Sequence, residues 1–146
     1  MNYTAGKVIM KKFIDLAPNY FLSGFSCSEA IARCAIDMGL ADENFVSIAT
    51  SFSGGMSSGC LCGAIAGSQM VLGLIHGKYK DNSARVLAKE FYQKITTIHK
   101  VGCCKVLTKD FKDFHSPERK NHCANMVADC AKILDEILEK ELTKIK

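Results

Sequence analysis

Apolar residues recur along this chain at helical spacing. Val8, Ile9, Phe13 and Leu16 share a face, so the pattern predicts a first helix over residues 4–17 with Thr4 near its cap. Pro18 ends or kinks it, and Ser23-Gly24 makes a turn. A second helix starts at Ser26 or Ser28. Glu29, three residues after Ser26, completes a capping box. Cys27, Ile31, Cys34 and Met38 line one face of this helix, which ends at Gly39. Asp42 caps a short third helix reaching about Thr50, with Phe45, Ile48 and Ala49 inward. Residues 51–59 read SFSGGMSSG, a flexible glycine-rich loop. A fourth helix runs from about residue 60 to 76 and Gly77 stops it.

Asn82 or Ser83 caps a fifth helix with a stripe of Leu87, Phe91, Ile95 and Ile98, and Gly102 breaks it. Residues 103–107 add one helical turn. Residues 108–121 are polar, contain Pro117 and form the longest loop. The last helix begins near His122 and carries Cys123, Val127, Cys130, Leu134 and Ile137 on one face. Residues 139–146 are charged and fray. No alternating strand pattern of useful length and no repeat occurs. The fold class is therefore all-α: one domain over residues 1–146, a bundle of about five to six helices whose short connections make neighbours antiparallel.

Composition sharpens this picture at a few points. The chain has 146 residues, 48% of them apolar, and only two prolines, which excludes disorder and permits a core without staples. Tryptophan is absent, so the core is mostly aliphatic. The most apolar stretch, residues 60–75, is interrupted by Ser68 and Gln69. It falls short of the roughly 20 residues a membrane span needs, and reads as a buried core helix. Residues 1–16 scatter Lys7, Lys11 and Lys12 through an apolar pattern unlike an export signal, which points to the cytoplasm, where thiols stay reduced. The formal charge of +4 comes almost wholly from lysine. Only Arg33, Arg85 and Arg119 offer forked phosphate contacts, and no aromatics interleave with a basic stripe, so nucleic acid is a poor partner. Surplus apolar surface on such a bundle would allow a homodimer.

The eight cysteines are the anomaly. Without an export signal, such a set reads first as metal-binding or catalytic. Cys27 and Cys34 are two helical turns apart, as are Cys123 and Cys130. Cys60 and Cys62 flank Leu61 where the glycine loop becomes a helix. Cys103 and Cys104 are adjacent after Gly102. Four helical segments can thus point sulfur at one place. At a helix start Cys62 meets free N–H groups and partial positive charge, which predicts a lowered pKa and a thiolate ready for exchange or for soft metals. Gly63 and Gly67 make a smooth face on the same helix, open to close approach by a cluster or by another helix. Cys34 and Cys130, set among aliphatics, read as small core hydrophobes. His99 is four residues before Cys103, and His122 adjoins Cys123; both are candidate co-ligands. There is no Cys-x-x-Cys, and the glycine loop lacks the Gly-Lys-Ser/Thr ending of a nucleotide-binding loop. Nothing marks a hydrolytic triad.

These residues carry a family resemblance. CGAIAG at residues 62–67, followed by LGLIHG at 72–77, resembles the C_GCAxxG_C_C family of redox-active proteins. SFSGGM at 51–56 is similar to its FGGGM-type loop. FSCSEAI at 25–31, CKVL at 104–107 and CANMV at 123–127 resemble its other cysteine segments. The resemblance implies four principal cysteines, Cys27, Cys62, Cys104 and Cys123, with Cys34, Cys60, Cys103 and Cys130 extra to the pattern. It also implies redox chemistry, with no named substrate or redox partner. A related domain accompanies a haem region in split-Soret cytochromes and is similar to an iron–sulfur module, although no Cys-x-x-Cys-His haem motif occurs here.

Two leading readings result. In one, an oxidoreductase-type reading, Cys62 is the exchange thiolate and Cys27, Cys104 or Cys123 resolves the mixed disulfide. In the other, the same four thiolates, with Cys60 and Cys103 as weaker candidates, hold an iron–sulfur cluster or zinc in a non-catalytic module. An inert helical domain is the third.

Overall fold

Asp135, near the far end of the chain, fixes where the first helix begins. Its carboxylate accepts from the backbone N–H of Phe13 at 2.7 Å and of Ile14 at 2.9 Å. The first helix, α1, accordingly spans Phe13–Leu22. The helix expected over residues 4–17 is replaced upstream by two three-residue strands, β1 (Asn2–Thr4) and β2 (Lys7–Ile9), paired antiparallel. Pro18 lies inside α1 and does not end it. The carbonyl it leaves unbonded belongs to Ile14, an exposed residue in the first turn. This computed structural model describes residues 2–4, 7–9, 12–79 and 84–143.

The remaining elements are helical: α2 (Cys27–Asp37), α3 (Phe45–Thr50), a π-type turn (Gly55–Gly59), α4 (Gly63–Tyr79), α5 (Ala84–His99), α6 (Cys104–Leu107) and α7 (Pro117–Thr143). The all-α bundle read from the periodicity is the architecture found, with the small hairpin as its one addition among the described residues. The capping box is present. Ser26 Oγ accepts from the Glu29 N–H at 3.3 Å, and the Ser26 N–H donates to Glu29 Oε1 at 2.9 Å. α3 starts at Phe45, without a side-chain cap from Asp42. α4 passes through Gly77, which keeps a negative φ and so offers no left-handed stop. Asn82 and Ser83 lie outside the described residues. Leu87, Phe91 and Ile95 of α5 are buried, but Ile98 is 54% exposed, so the stripe ends a turn early.

α7 starts at Pro117, five residues before His122. Ser116 Oγ accepts from the Arg119 N–H at 3.2 Å, and Pro117 takes the first helical position, where its missing N–H costs nothing. At 27 residues α7 is roughly 40 Å long. It packs on α1, α2, α4 and α5, while α2 packs on α1, α3 and α4. A single aliphatic core joins them, built around Phe13, Ile31, Ile65, Leu72, Phe91, Leu134 and Ile137. Gly67 permits the α2–α4 contact: a Cβ there would stand 3.1 Å from the Ser28 carbonyl oxygen and 3.4 Å from Ile31 Cβ. Among the described residues no helix is long and apolar enough to cross a membrane.

Candidate functional site

Each of the four segments that bear a principal cysteine is held by local hydrogen bonds. Cys27 opens α2 behind the Ser26 cap. Ser28, fully buried beside it, donates to the Ala49 carbonyl at 2.8 Å and meets Ser53 Oγ at 3.1 Å, tying α2 to the glycine loop. Cys62 is the residue before α4. Its carbonyl accepts from the Ala66 N–H at 2.9 Å, and its own N–H donates to the Gly102 carbonyl at 2.8 Å. Leu61 and Cys103 form an antiparallel bridge, and the Cys104 N–H donates to the Cys60 carbonyl at 2.5 Å. These bonds clamp the start of α4 against the start of α6. Cys123 lies in the second turn of α7.

The four cysteines line one small cavity of about 20 Å³, together with Gly63, Arg119 and His122. That volume suits one water-sized occupant. A Cβ on Gly63 would collide with Cys27 Sγ and come within 2.9 Å of the Phe52 carbonyl, so the bare Cα is what lets that sulfur in. Gly67 sits one turn on, against the α2 backbone. Cys60 is exposed, and Cys103 donates its S–H to the Gly59 carbonyl at 3.3 Å, so these two belong to the clamp outside the cavity. Cys34 and Cys130 are fully buried in the core. Burial pushes both thiols up. Cys130 also feels Cys62, while Cys34 feels Asp37 and Asp135.

The expected thiolate at Cys62 does not hold. Its position does give it the N–H groups of Ala64 and Ile65, and these pull its pKa down. Burial is the larger effect: with 8% of the residue exposed, the thiol is pushed up to about 12, and Cys27 adds to the rise. Burial also raises Cys104, with Cys27 adding to it and Arg119 opposing it. Cys123 is raised by burial as well, again against Arg119, with Cys27 and Cys104 adding to the rise. Cys27 therefore acts electrostatically on all three of its neighbours.

Two further side chains line the cavity, Arg119 and His122. The sequence reading named His122 as a candidate co-ligand beside Cys123 and did not place Arg119 at the site. The Arg119 guanidinium stacks 3.4 Å from the centroid of the Phe114 ring and donates to the Phe114 carbonyl at 3.0 Å. Its buried Nε has no hydrogen-bond partner among the described residues, and neither has the buried Nε2 of His122. Arg119 stands four residues before Cys123, on the same helix face. That signal was readable once α7 was started at Ser116-Pro117. His99, by contrast, pairs with Asp129 at 2.7 Å and is engaged away from Cys103.

The donor chemistry of the quartet suits zinc or iron–sulfur. The spacing as it stands does not: among the described residues no three His, Cys, Asp or Glu side chains are close enough to hold a metal ion.

A second, larger hollow adjoins the cavity. It is an open groove of about 540 Å³ lined by Ser53, Gly54, Ser57, Gly59, Cys104, Lys105, Thr108 and Phe114. Cys104 is the one cysteine that borders both spaces. The loop beside the groove has four successive left-handed residues, Gly54, Gly55, Met56 and Ser57, with φ of 62°, 65°, 59° and 55°, of which Gly54 and Ser57 line the groove. The loop expected over 51–59 is thus a defined left-handed turn.

A family model described as "Putative redox-active protein (C_GCAxxG_C_C)" matches residues 25–137. No curated protein and no solved structure matches the chain.

Proposed function

The chain belongs to the C_GCAxxG_C_C family of redox-active proteins, and on that premise we propose that its cysteine quartet works by thiol–disulfide exchange. The observation that carries this reading is the convergence of Cys27, Cys62, Cys104 and Cys123 on one cavity, with Cys104 also bordering open solvent. Cys104, and not Cys62, is then the attacking thiol. Its thiolate attacks an external disulfide, forms a mixed disulfide and releases one thiolate, which takes up the proton Cys104 lost. Cys27 then attacks the Cys104 sulfur, releases the second thiol and closes an internal disulfide. Two protein thiols are oxidised and one disulfide is reduced to two thiols. Arg119 supports the step by favouring charge on Cys104 and Cys123.

A second reading has one observation in its favour. Arg119 and His122 line the cavity with the four soft sulfur donors, and their buried Nε and Nε2 have no partner among the described residues, as suits groups that neutralise and hydrogen-bond a negatively charged metal–thiolate centre. A cluster held by the four cysteines would supply one-electron transfer; the side chains would need to close in to hold it. Anaerobic purification followed by metal analysis, a visible spectrum and thiol counting separates the two. The exchange reading expects a metal-free protein that loses two thiols on oxidation and regains them on reduction. Stoichiometric iron or zinc, with no thiol lost on oxidation, would overturn it in favour of the cluster.

A further inference from the structure

The open groove has features that the exchange reaction alone does not need. Its volume, about 540 Å³, is that of a small-molecule site. Lys105 is its one charged lining residue, and no carboxylate lines it. The Lys105 stem lies across the bare Cα of Gly59, where a Cβ would collide with Cγ, Cδ and Cε of that side chain. This contact holds the Lys105 stem beside Gly59, at the edge of the groove. Phe114, 53% exposed, offers an apolar wall, and Arg119 stacks on its ring. Ser57 supplies a hydroxyl, while those of Ser53 and Thr108 already donate to the Thr50 and Cys104 carbonyls. Gly55 seats the turn against the cysteine: a Cβ on it would stand 2.9 Å from Cys104 Cβ and 2.5 Å from the Cys60 nitrogen. Met56 and Ser57 hold left-handed dihedrals unfavourable to their side chains. Such strain persists where a loop is held in one shape, and here the held shape is the wall of the groove.

We propose that this groove binds a low-molecular-weight disulfide bearing an anionic group, with Lys105 as its counter-charge, Phe114 as its apolar wall and Cys104 as the thiol it meets. The inference rests on the exchange reading above and adds a substrate class to it. The disulfide sulfur nearer Cys104 becomes bonded to it. The other sulfur leaves as a thiolate and is protonated, and closure by Cys27 frees the anionic half as a thiol.

The test compares two chromogenic disulfides, the dicarboxylate dithiobis(nitrobenzoate) and the uncharged dithiodipyridine, on fully reduced protein and on Lys105→Gln. The expected result is a preference for the dicarboxylate that falls about tenfold in Lys105→Gln, the size of one lost charge-assisted contact. Peptide mapping should find the first adduct on Cys104. If the preference is absent or survives the substitution while an internal disulfide still forms, the groove proposal is overturned and the exchange reading stands. If neither reagent yields an internal disulfide, both are overturned. Lys105→Glu should reverse the preference, and a Lys105→Glu protein that keeps it would also overturn the groove proposal.

Discussion

At the scale of single residues, the contest is between burial and local charge at each sulfur. A thiolate at a helix start gains from N–H groups, yet an ion moved out of water loses more unless a full charge faces it. Cys62 has the N–H groups and remains a neutral thiol. Cys104 is less buried and has Arg119, so it is the better nucleophile despite its own raised pKa. The rate at which Cys104 reacts with a neutral disulfide should therefore climb with pH and show no plateau below pH 9.0, the ordinary value from which its pKa is raised. Arg119→Gln should lower that rate several-fold near pH 8 by taking away the facing charge, as stopped-flow measurement would report. An unchanged rate would remove Arg119 from the account. The family resemblance marked Cys27, Cys62, Cys104 and Cys123 in the sequence. The sign of the Cys62 shift was not legible there, because it depends on how much water the folded chain removes.

Helix ends decide which side chains reach the cavity. Ser116-Pro117 was a readable start for α7, and reading 108–121 as loop left Arg119 off the helix. The start of α1 could not be read, since its cap is a carboxylate 122 residues away along the chain. Asp135→Ala should lower stability by about 1–2 kcal/mol in urea unfolding, the usual worth of a side-chain helix cap. Asp135→Asn, which keeps an acceptor oxygen, should recover part of it. Glycine substitutions within α4 should differ in sign. Gly63→Ala forces Cys27 aside and should cost about 1–3 kcal/mol. Gly73→Ala meets nothing within 4 Å and should stabilise by about 0.5–1 kcal/mol. A destabilising Gly73→Ala, or a neutral Gly63→Ala, would contradict the packing described. The close approach of α2 to α4 at Gly67 was one of two readings the sequence left open, and the backbone of Ser28 takes that place.

For the molecule as a whole, buried thiols couple folding to pH. Cys34, Cys62 and Cys130 hold their protons more tightly when folded than when unfolded. Their contribution is fully present below the ordinary thiol value of 9.0, and is lost as pH rises toward the folded values, about 12 for Cys62. Under reducing conditions the unfolding free energy from urea titration should hold near neutral pH and fall steadily above about pH 9, by up to roughly 1.4 kcal/mol per pH unit for each such thiol. A free energy that stays flat to about pH 10 would mean that these thiols are wetter than their packing implies. Helical periodicity revealed the bundle, because every long helix has a buried face. It could not reveal the cavity, which exists only where the starts of α2, α4 and α6 meet the early turns of α7.

That meeting is best tested by mapping disulfides in the full chain after brief oxidation of the reduced protein by a small disulfide. The account predicts one internal bond between Cys104 and Cys27, with Cys34 and Cys130 recovered as free thiols. Four principal cysteines that stay unpaired, or a first bond made between Cys60 and Cys103 alone, would contradict it.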